Sequence, residues 1–222
     1  MFIEQPELPQ LPFIFLGGNL AIDLVNTRRS RRIPGTKRII QFDQLWDRTQ
    51  AEAWWRLACA RFDLARYEDC GWREAEFELL IALRAELRRL LESIIASWPR
   101  PETPVLNEIL SRGSFVVTIG EAGPSREYKP RQAGGDGLMA LALAASEFLA
   151  DGELARLRAC RSERCSLLFY DTTRSGTRHW CRQDCMNRSR GASQLPEGEG
   201  WGGPSFLTMP SGRSSPRSPR PS

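Results

Sequence analysis

The sequence predicts an α+β protein with a mostly helical N-terminal domain, a small β-hairpin, a small C-terminal finger and a disordered tail. Leucine and isoleucine recur at three- and four-residue steps between Trp72 and Trp98, which is typical of a long amphipathic helix. Four cysteines cluster in the C-terminal third. Pro, Gly and Ser make up 18 of the last 31 residues, so that stretch cannot bury enough apolar area to offset its ordering entropy.

Changes in composition divide the chain into three predicted parts. Residues 10–150 form the helical domain, residues 151–191 form the finger after the Asp151-Gly152 boundary, and residues 192–222 form the disordered tail. A chain of 222 residues is long enough to bury a substantial core.

The stretch FIFLGGNLAIDLVNT, residues 13–27, predicts a short apolar strand, a Gly17-Gly18 turn and a helix. Asn19 is the expected N-cap, because an asparagine side chain can accept from the free amides of a first helical turn. A basic loop is expected over residues 28–38, and a second helix over about residues 43–67.

The long helix between Trp72 and Trp98 should end before Pro99, which cannot continue a helix. Residues 105–113 then predict a short helix, and residues 115–130 predict two strands around a glycine-proline turn. Asp136 is expected to cap a helix through about Leu149. The residues expected to face inward from that helix are Leu138, Leu141, Ala142, Ala145 and Phe148. The tryptophans expected in the core, rather than in a ligand cage, are Trp46, Trp54, Trp55, Trp72 and Trp98.

Charge is distributed unevenly along the chain. The formal net charge is only +4, but residues 151–190 hold nine arginines, five acidic residues and no lysine. The N-terminus carries Glu4 and Glu7 where a signal peptide would be basic, and no apolar run approaches the roughly 20 residues that span a bilayer. We therefore expect a cytoplasmic protein with no membrane partner.

The cysteine spacing predicts a metal site. Cys160 and Cys165 form one pair, Cys181 and Cys185 form a second, and fifteen residues separate the pairs. Two turns that each present two thiolates suit one tetrahedral Zn²⁺, with an iron centre or redox-active thiols as the alternatives. Four cysteines would leave no open coordination position, so the zinc is expected to be structural rather than catalytic.

The segment is thus predicted to be a zinc-ribbon-like finger. SLLFYD, residues 166–171, is the expected strand, TTRSGT the turn, and HWC, residues 179–181, the return to the second cysteine pair. His179, the only histidine, is expected to be exposed or to face phosphate rather than to bind metal. Cys59 and Cys70 stand outside the two close cysteine pairs and are expected to be ordinary buried thiols.

Two motifs resemble those of a bacterial family. GGNLAIDLVNT, residues 17–27, is similar to the N-terminal motif of ABATE-domain proteins, and residues 157–188 are similar to the CGNR zinc finger that follows it in that family. The resemblance covers roughly residues 10–190. It departs from the family pattern at Met186, which replaces the signature glycine, at Arg182, which replaces a usual serine, and after Gly191, where the family runs on into a basic helix.

The resemblance implies a stress-response transcriptional regulator that binds nucleic acid, with DNA more expected than RNA. Guanidinium groups bind phosphate bidentately, and asparagine and arginine can read base edges. The expected nucleic-acid-binding residues are Arg174, Arg178, Arg182, Asn187, Arg188 and Arg190. The alternative is structural: Asn187 would cap a helix, and Arg188 would pair with Asp171 or Asp184.

The resemblance also implies a sensing role for the N-terminal domain. A glycine turn at a helix N-terminus can hold a small anionic effector. The candidate ligand-binding residues are Gly17, Gly18, Asn19, Asp23 and Asn26, although a turn, a cap and intrahelical polar bonds would explain the same residues.

We expect no catalytic activity, since the sequence has one histidine, no phosphate-binding glycine loop and no nucleophile motif. A zinc-stabilised protein-docking module and an RNA-binding protein stay open as alternatives. A homodimer also stays open, because specific DNA readers are often dimers.

Overall fold

A computed structural model describes residues 12–32, 39–64, 67, 72–120, 123–130 and 136–191. The predicted tail at 192–222 and Cys70 lie outside the described residues. None of the described helices has the length and apolar character needed to cross a membrane.

The described part of the chain is mostly helical, with three small antiparallel hairpins, which confirms the α+β class. The helices are α1 (Leu20–Asn26), α2 (Arg48–Phe62), α3 (Glu74–Ile95), α4 (Pro104–Leu110), α5 (Asp136–Asp151) and α6 (Gln183–Gly191). The hairpins pair β1 (Arg28–Arg32) with β2 (Ile39–Asp43), β3 (Gly113–Gly120) with β4 (Gly123–Pro130), and β5 (Leu157–Ala159) with β6 (Leu168–Tyr170).

Helix α1 lies at the centre of the main core. All seven of its residues are buried, and it contacts α3, α5 and β6. Asn19 caps the helix as predicted, since its side chain accepts from the backbone amide of Ala21 at 2.9 Å. A helix that is buried on all sides needs partners on all sides, so α1 fixes where the other elements lie.

The long helix α3 carries two buried charged residues that tie other elements to it. The guanidinium of Arg84 is only 3% exposed and donates to both carboxylate oxygens of Asp43, at 2.6 and 2.5 Å. Glu86 accepts from the amides of Val105 and Leu106, which are two of the free amides of the first turn of α4. These contacts hold β2 and α4 against α3.

The structure corrects three expectations about strands. Residues 28–38 were expected to form a loop, but residues 28–32 form β1, paired with β2. Residues 13–16 are predicted to form a strand and form none, although their side chains face the main core and the cysteine cluster alternately, as in an extended segment. The partner of β6 is β5, not the predicted return at residues 179–181.

Three of the five tryptophans expected in the core are buried. Trp54, Trp55 and Trp72 are buried, whereas Trp46 is 46% exposed and Trp98 is 69% exposed. Trp98 follows the end of α3, and no element in the described part of the chain covers it. The inward residues predicted for α5, from Leu138 to Phe148, are all buried as expected, and so is Cys59.

Candidate metal centre and nucleic-acid interface

The sulfur atoms of the two cysteine pairs converge on one point. The four Sγ atoms of Cys160, Cys165, Cys181 and Cys185 lie within 4.8 Å of one another. Cys181 Sγ lies 3.7 Å from Cys165 Sγ and 3.6 Å from Cys185 Sγ. A regular tetrahedron with Zn–S bonds of 2.3 Å has edges of about 3.8 Å, so the cluster is suited to one zinc ion.

Backbone hydrogen bonds present the first pair of thiols. The strand pairing of β5 with β6 continues one step further, where Cys160 N donates to Leu167 O at 3.0 Å. Cys165 N then donates to Ser162 O at 2.9 Å, which closes the turn between the two cysteines. The four intervening residues are therefore a tight knuckle rather than a free loop.

Helix α6 presents the second pair. Cys181 lies just before the helix, and Cys185 lies in its first turn, where its amide donates to Arg182 O at 3.1 Å. Met186 follows at a position where the related signature has glycine. Its φ is not positive, because Asp63 and Ser97 are the only non-glycine residues with positive φ in the described part of the chain. A side chain is therefore accommodated here without backbone strain.

The thiols affect one another's protonation. Hydrogen bonds from the thiols of Cys165 and Cys181 lower the pKa of Cys160 below its ordinary value. Hydrogen bonds with Cys160 raise the pKa of Cys165 and the pKa of Cys181 above their ordinary values. Crowded thiols share one negative charge in this way, and a divalent cation is what allows all of them to ionise.

Arg188 is half-buried and directs its guanidinium toward the cysteine cluster. Its Nη2 donates to Cys185 Sγ at 3.1 Å, and its Nε is buried without a hydrogen-bond partner in the described residues. Neither Asp171 nor Asp184, the partners expected in the structural alternative, forms an ion pair with this guanidinium. A cation against a thiolate offsets the net negative charge of a four-cysteine zinc site.

Asp171 organises the arginine turn that follows β6. It is fully buried and accepts from Thr173 N, Thr173 Oγ1 and Arg178 N, at 2.9, 2.6 and 2.7 Å. Burial acts to raise the pKa of Asp171, but the hydrogen bonds from Thr173 and Arg178 outweigh it and leave the pKa lowered. The negative charge of Asp171 is therefore stabilised by hydrogen bonds from within the finger.

Arg178 is also bonded within the finger. Its guanidinium donates to the carbonyl oxygens of Trp180 and Cys181 and lies over the ring of Phe169, 5.1 Å from the centroid. Arg156 and Arg158 likewise donate to carbonyl oxygens of the turn at residues 171–176. These arginines brace the zinc ribbon.

The other finger arginines are exposed. They are Arg161, Arg164, Arg174, Arg182 and Arg190. Asn187 is exposed on α6 and accepts from Gln183 at 3.1 Å, so it does not cap the helix. His179 lies edge-on to Trp180 and is not among the clustered metal ligands.

The glycine turn predicted to hold an effector is bonded within the chain. Gly17 N donates to Asp23 Oδ1 at 2.6 Å, Gly18 has a φ of +73°, and Asn19 caps α1. Asp23 is 1% exposed, and this burial raises its pKa from 3.8 to about 6, although the amides of Gly17 and Leu16 act to lower it. Ligand binding at this turn stays a prediction.

Asn26 joins the N-terminal motif to the finger. Its Nδ2 donates to Leu168 O at 2.8 Å, and its Oδ1 accepts from Leu168 N at 2.9 Å. Tyr170 N donates to Gly17 O at 2.9 Å beside this pair. The sequence shows both motifs but not the contact between them, because the paired residues lie 142 positions apart.

Comparison with known families agrees with this organisation. Residues 18–152 match the ABATE family, described as "Putative stress-induced transcription regulator". Residues 156–194 match the CGNR zinc finger. No curated protein matches the chain at a significant level.

Proposed function

Because the chain belongs to the ABATE family, described as "Putative stress-induced transcription regulator", and carries a CGNR zinc finger, we propose that it binds DNA through the exposed arginines of that finger. The supporting observation is the division of the finger arginines into two sets. Arg156, Arg158, Arg178 and Arg188 bond inside the finger, and five others are exposed. The proposal assigns the protein to the cytoplasm and gives it no catalytic role.

Zinc supplies rigidity in this proposal. Four thiolates hold the ion and leave no open position, so it would contribute folding energy and fix the arginines that surround it. Arg182 follows Cys181 directly, and Arg190 lies on the helix that begins beside Cys185. Preorganised guanidiniums lose less freedom on binding phosphate, which favours affinity.

Arg174, Arg182 and Arg190 are the variants that test the interface. We would measure duplex DNA affinity against salt for the zinc-loaded chain and for the Arg174→Ser/Arg182→Ser/Arg190→Ser variant. The affinity should fall at least tenfold, and the salt slope should fall by up to about 3, since each phosphate contact contributes roughly 0.9. Changing Arg178 or Arg188 would be uninformative, because both hold the finger together.

An Arg56→Ser/Arg61→Ser/Arg100→Ser variant is the matched control, because these exposed arginines lie outside the finger and the change in net charge is the same. It should bind DNA like the wild type. Equal weakening of both variants would mean only general charge attraction. Preference for single-stranded RNA would replace DNA as the ligand, and salt-insensitive binding of one protein instead would favour a docking module.

A further inference from the structure

A second basic region lies away from the metal, where the helical domain meets the finger. It is a cleft of about 390 Å³ between β1, α3 and the residue that follows Cys165. The residues that matter for its chemistry are Arg28, Arg29, Arg84, Arg88, Arg89 and Ser166. The volume lies within the usual range for small-molecule sites, which is about 300–1,000 Å³.

Positive charge in the cleft exceeds the negative charge available to balance it. Five arginines line the cleft against one carboxylate, that of Glu92. Glu92 forms an ion pair with Arg88 at 2.5 Å, and Asp43 forms an ion pair with Arg84. Within the described residues Arg28 and Arg89 have no ion-pair partner, and both are exposed. Guanidinium groups stay charged at every physiological pH, so the two positive charges of Arg28 and Arg89 remain for a ligand.

Neutral donors complete the site. Ser166 Oγ accepts from Ser30 N at 2.7 Å, which leaves the hydroxyl hydrogen of Ser166 to donate elsewhere. The side chain of Ser166 lines the cleft, and Gln41 from β2 lies on its wall. Arginine forks beside a hydroxyl donor match the several acceptor oxygens of a phosphate group.

We propose that this cleft binds a small phosphate-bearing molecule with at least two negative charges. Such a ligand would touch Arg28 of the N-terminal half and Ser166 of the finger at once, one residue from the metal ligand Cys165. Its site is distinct from the glycine turn at Gly17 and Gly18. The inference goes beyond the proposed DNA binding and does not depend on it.

The test is calorimetric titration of the full zinc-loaded chain with inorganic pyrophosphate in phosphate-free buffer. Wild type and an Arg28→Ser/Arg89→Ser variant would be compared with Arg56→Ser/Arg61→Ser, which removes the same charge from exposed positions on α2. Pyrophosphate should bind the wild type and the control alike and bind the cleft variant at least tenfold more weakly, since charge-assisted hydrogen bonds are lost. Zinc content and helical circular dichroism should be equal in all three.

Two results would overturn the inference. If pyrophosphate binding is absent, or weakens equally in both variants, the cleft is not a site. If pyrophosphate does not bind and only the cleft variant loses duplex DNA affinity, the cleft extends the nucleic-acid surface instead. Unchanged DNA affinity in the cleft variant, together with lost pyrophosphate binding, supports a separate small-molecule site.

Discussion

At the scale of single residues, Asp23 is a carboxyl group that the fold keeps out of water. It lies in the wholly buried helix α1 and receives the amide of Gly17, yet no cation makes a hydrogen-bonded ion pair with it among the described residues. Burial disfavours the charged form and outweighs the amides of Gly17 and Leu16 and the charge of Arg61, which is why the pKa of Asp23 rises to about 6.

Asp23→Asn should therefore change how stability depends on pH. The pKa of Asp23 in the folded state lies above the unfolded value of 3.8, so the folded state holds the proton longer and stability falls as pH rises toward 6. Asparagine keeps an acceptor oxygen without the charge. Between pH 5 and 7 the variant should gain about 1 kcal/mol in unfolding free energy relative to wild type, measured by urea denaturation. The exposed Asp151→Asn control should show the same pH dependence of unfolding free energy as wild type. The same pH dependence in Asp23→Asn and Asp151→Asn would contradict the role of burial.

Arg188 acts at the same scale on the metal. Arg188→Ala removes the donor to Cys185 Sγ and the positive charge beside the thiolates. Zinc affinity should fall about 10–100-fold, the usual cost of losing a group that supports a metal ligand. Competition with a chromophoric chelator measures this. Arg190→Ala, on the same helix but exposed, should leave zinc affinity unchanged, and equal losses in the two variants would argue against the contact.

Spacing alone was enough to predict the metal ligands. It could not separate the arginines that bond inside the finger from those that are exposed. Four cysteines in two close pairs have few other uses in one small segment, and the structure brings all four sulfurs together. Arg178 and Arg182 look alike in the sequence, yet one lies over Phe169 and the other is exposed. Which way an arginine points depends on tertiary contacts that local sequence does not contain.

At the scale of elements, β6 is a strand with a different core on each face. Leu168 and Tyr170 pack with the main core, whereas the intervening Phe169 packs with the cysteines. The extended segment before α1 repeats the pattern, since Phe13 and Phe15 join the main core and Ile14 and Leu16 join the finger. Alternation of side chains along extended backbone produces both results.

Asn26 is the polar contact that attaches this strand to α1. Asn26→Ala would leave the N–H and C=O of Leu168 buried without partners, and it should cost about 2 kcal/mol or more of unfolding free energy. Amide exchange at Leu168 should accelerate as well. Asn107→Ala, at an exposed position on α4, is the control and should stay within about 0.5 kcal/mol of wild type. Unchanged exchange at Leu168 would show that the bonds are dispensable.

Elements with strong apolar periodicity were predictable, and elements without it were not. Helix α3 follows from its leucine spacing and lies inside the predicted range. Strand β1 has the sequence RRSRR, which offers no apolar alternation, and β5 has only three residues. Both are defined by their partner strands, so they appear only once the pairing is known.

At the scale of the whole molecule, the finger and the helical domain share apolar surface. Leu157 and Leu168 from the finger belong to the main core, while the finger's own cluster of buried residues is only Cys160, Leu167, Phe169, Cys181 and Cys185. A core that small cannot stabilise a fold by itself. Stability of the finger therefore depends on the metal and on the helical domain together.

Removal of zinc should consequently change amide exchange outside the finger as well as within it. Chelation under reducing conditions should raise amide exchange across residues 157–191 and also at the C-terminal end of α1, where Asn26 holds Leu168. Helix α2 should stay protected, because its buried residues lie in the main core. Hydrogen exchange with mass spectrometry measures all three regions. A Cys181→Ser/Cys185→Ser variant should match the chelated protein, and unchanged exchange in α1 would contradict the coupling.

The bond between Asn26 and Leu168 also has a consequence for synthesis on the ribosome. Asn26 is made 142 residues before its partner, so over that interval the side-chain amide of Asn26 in a nascent chain has no Leu168 to bond. Helices that emerge early can form local contacts. The edge of the core that β6 covers can pack only after the finger has left the ribosome and bound zinc. Zinc supply during translation would then set how long that edge stays open to aggregation.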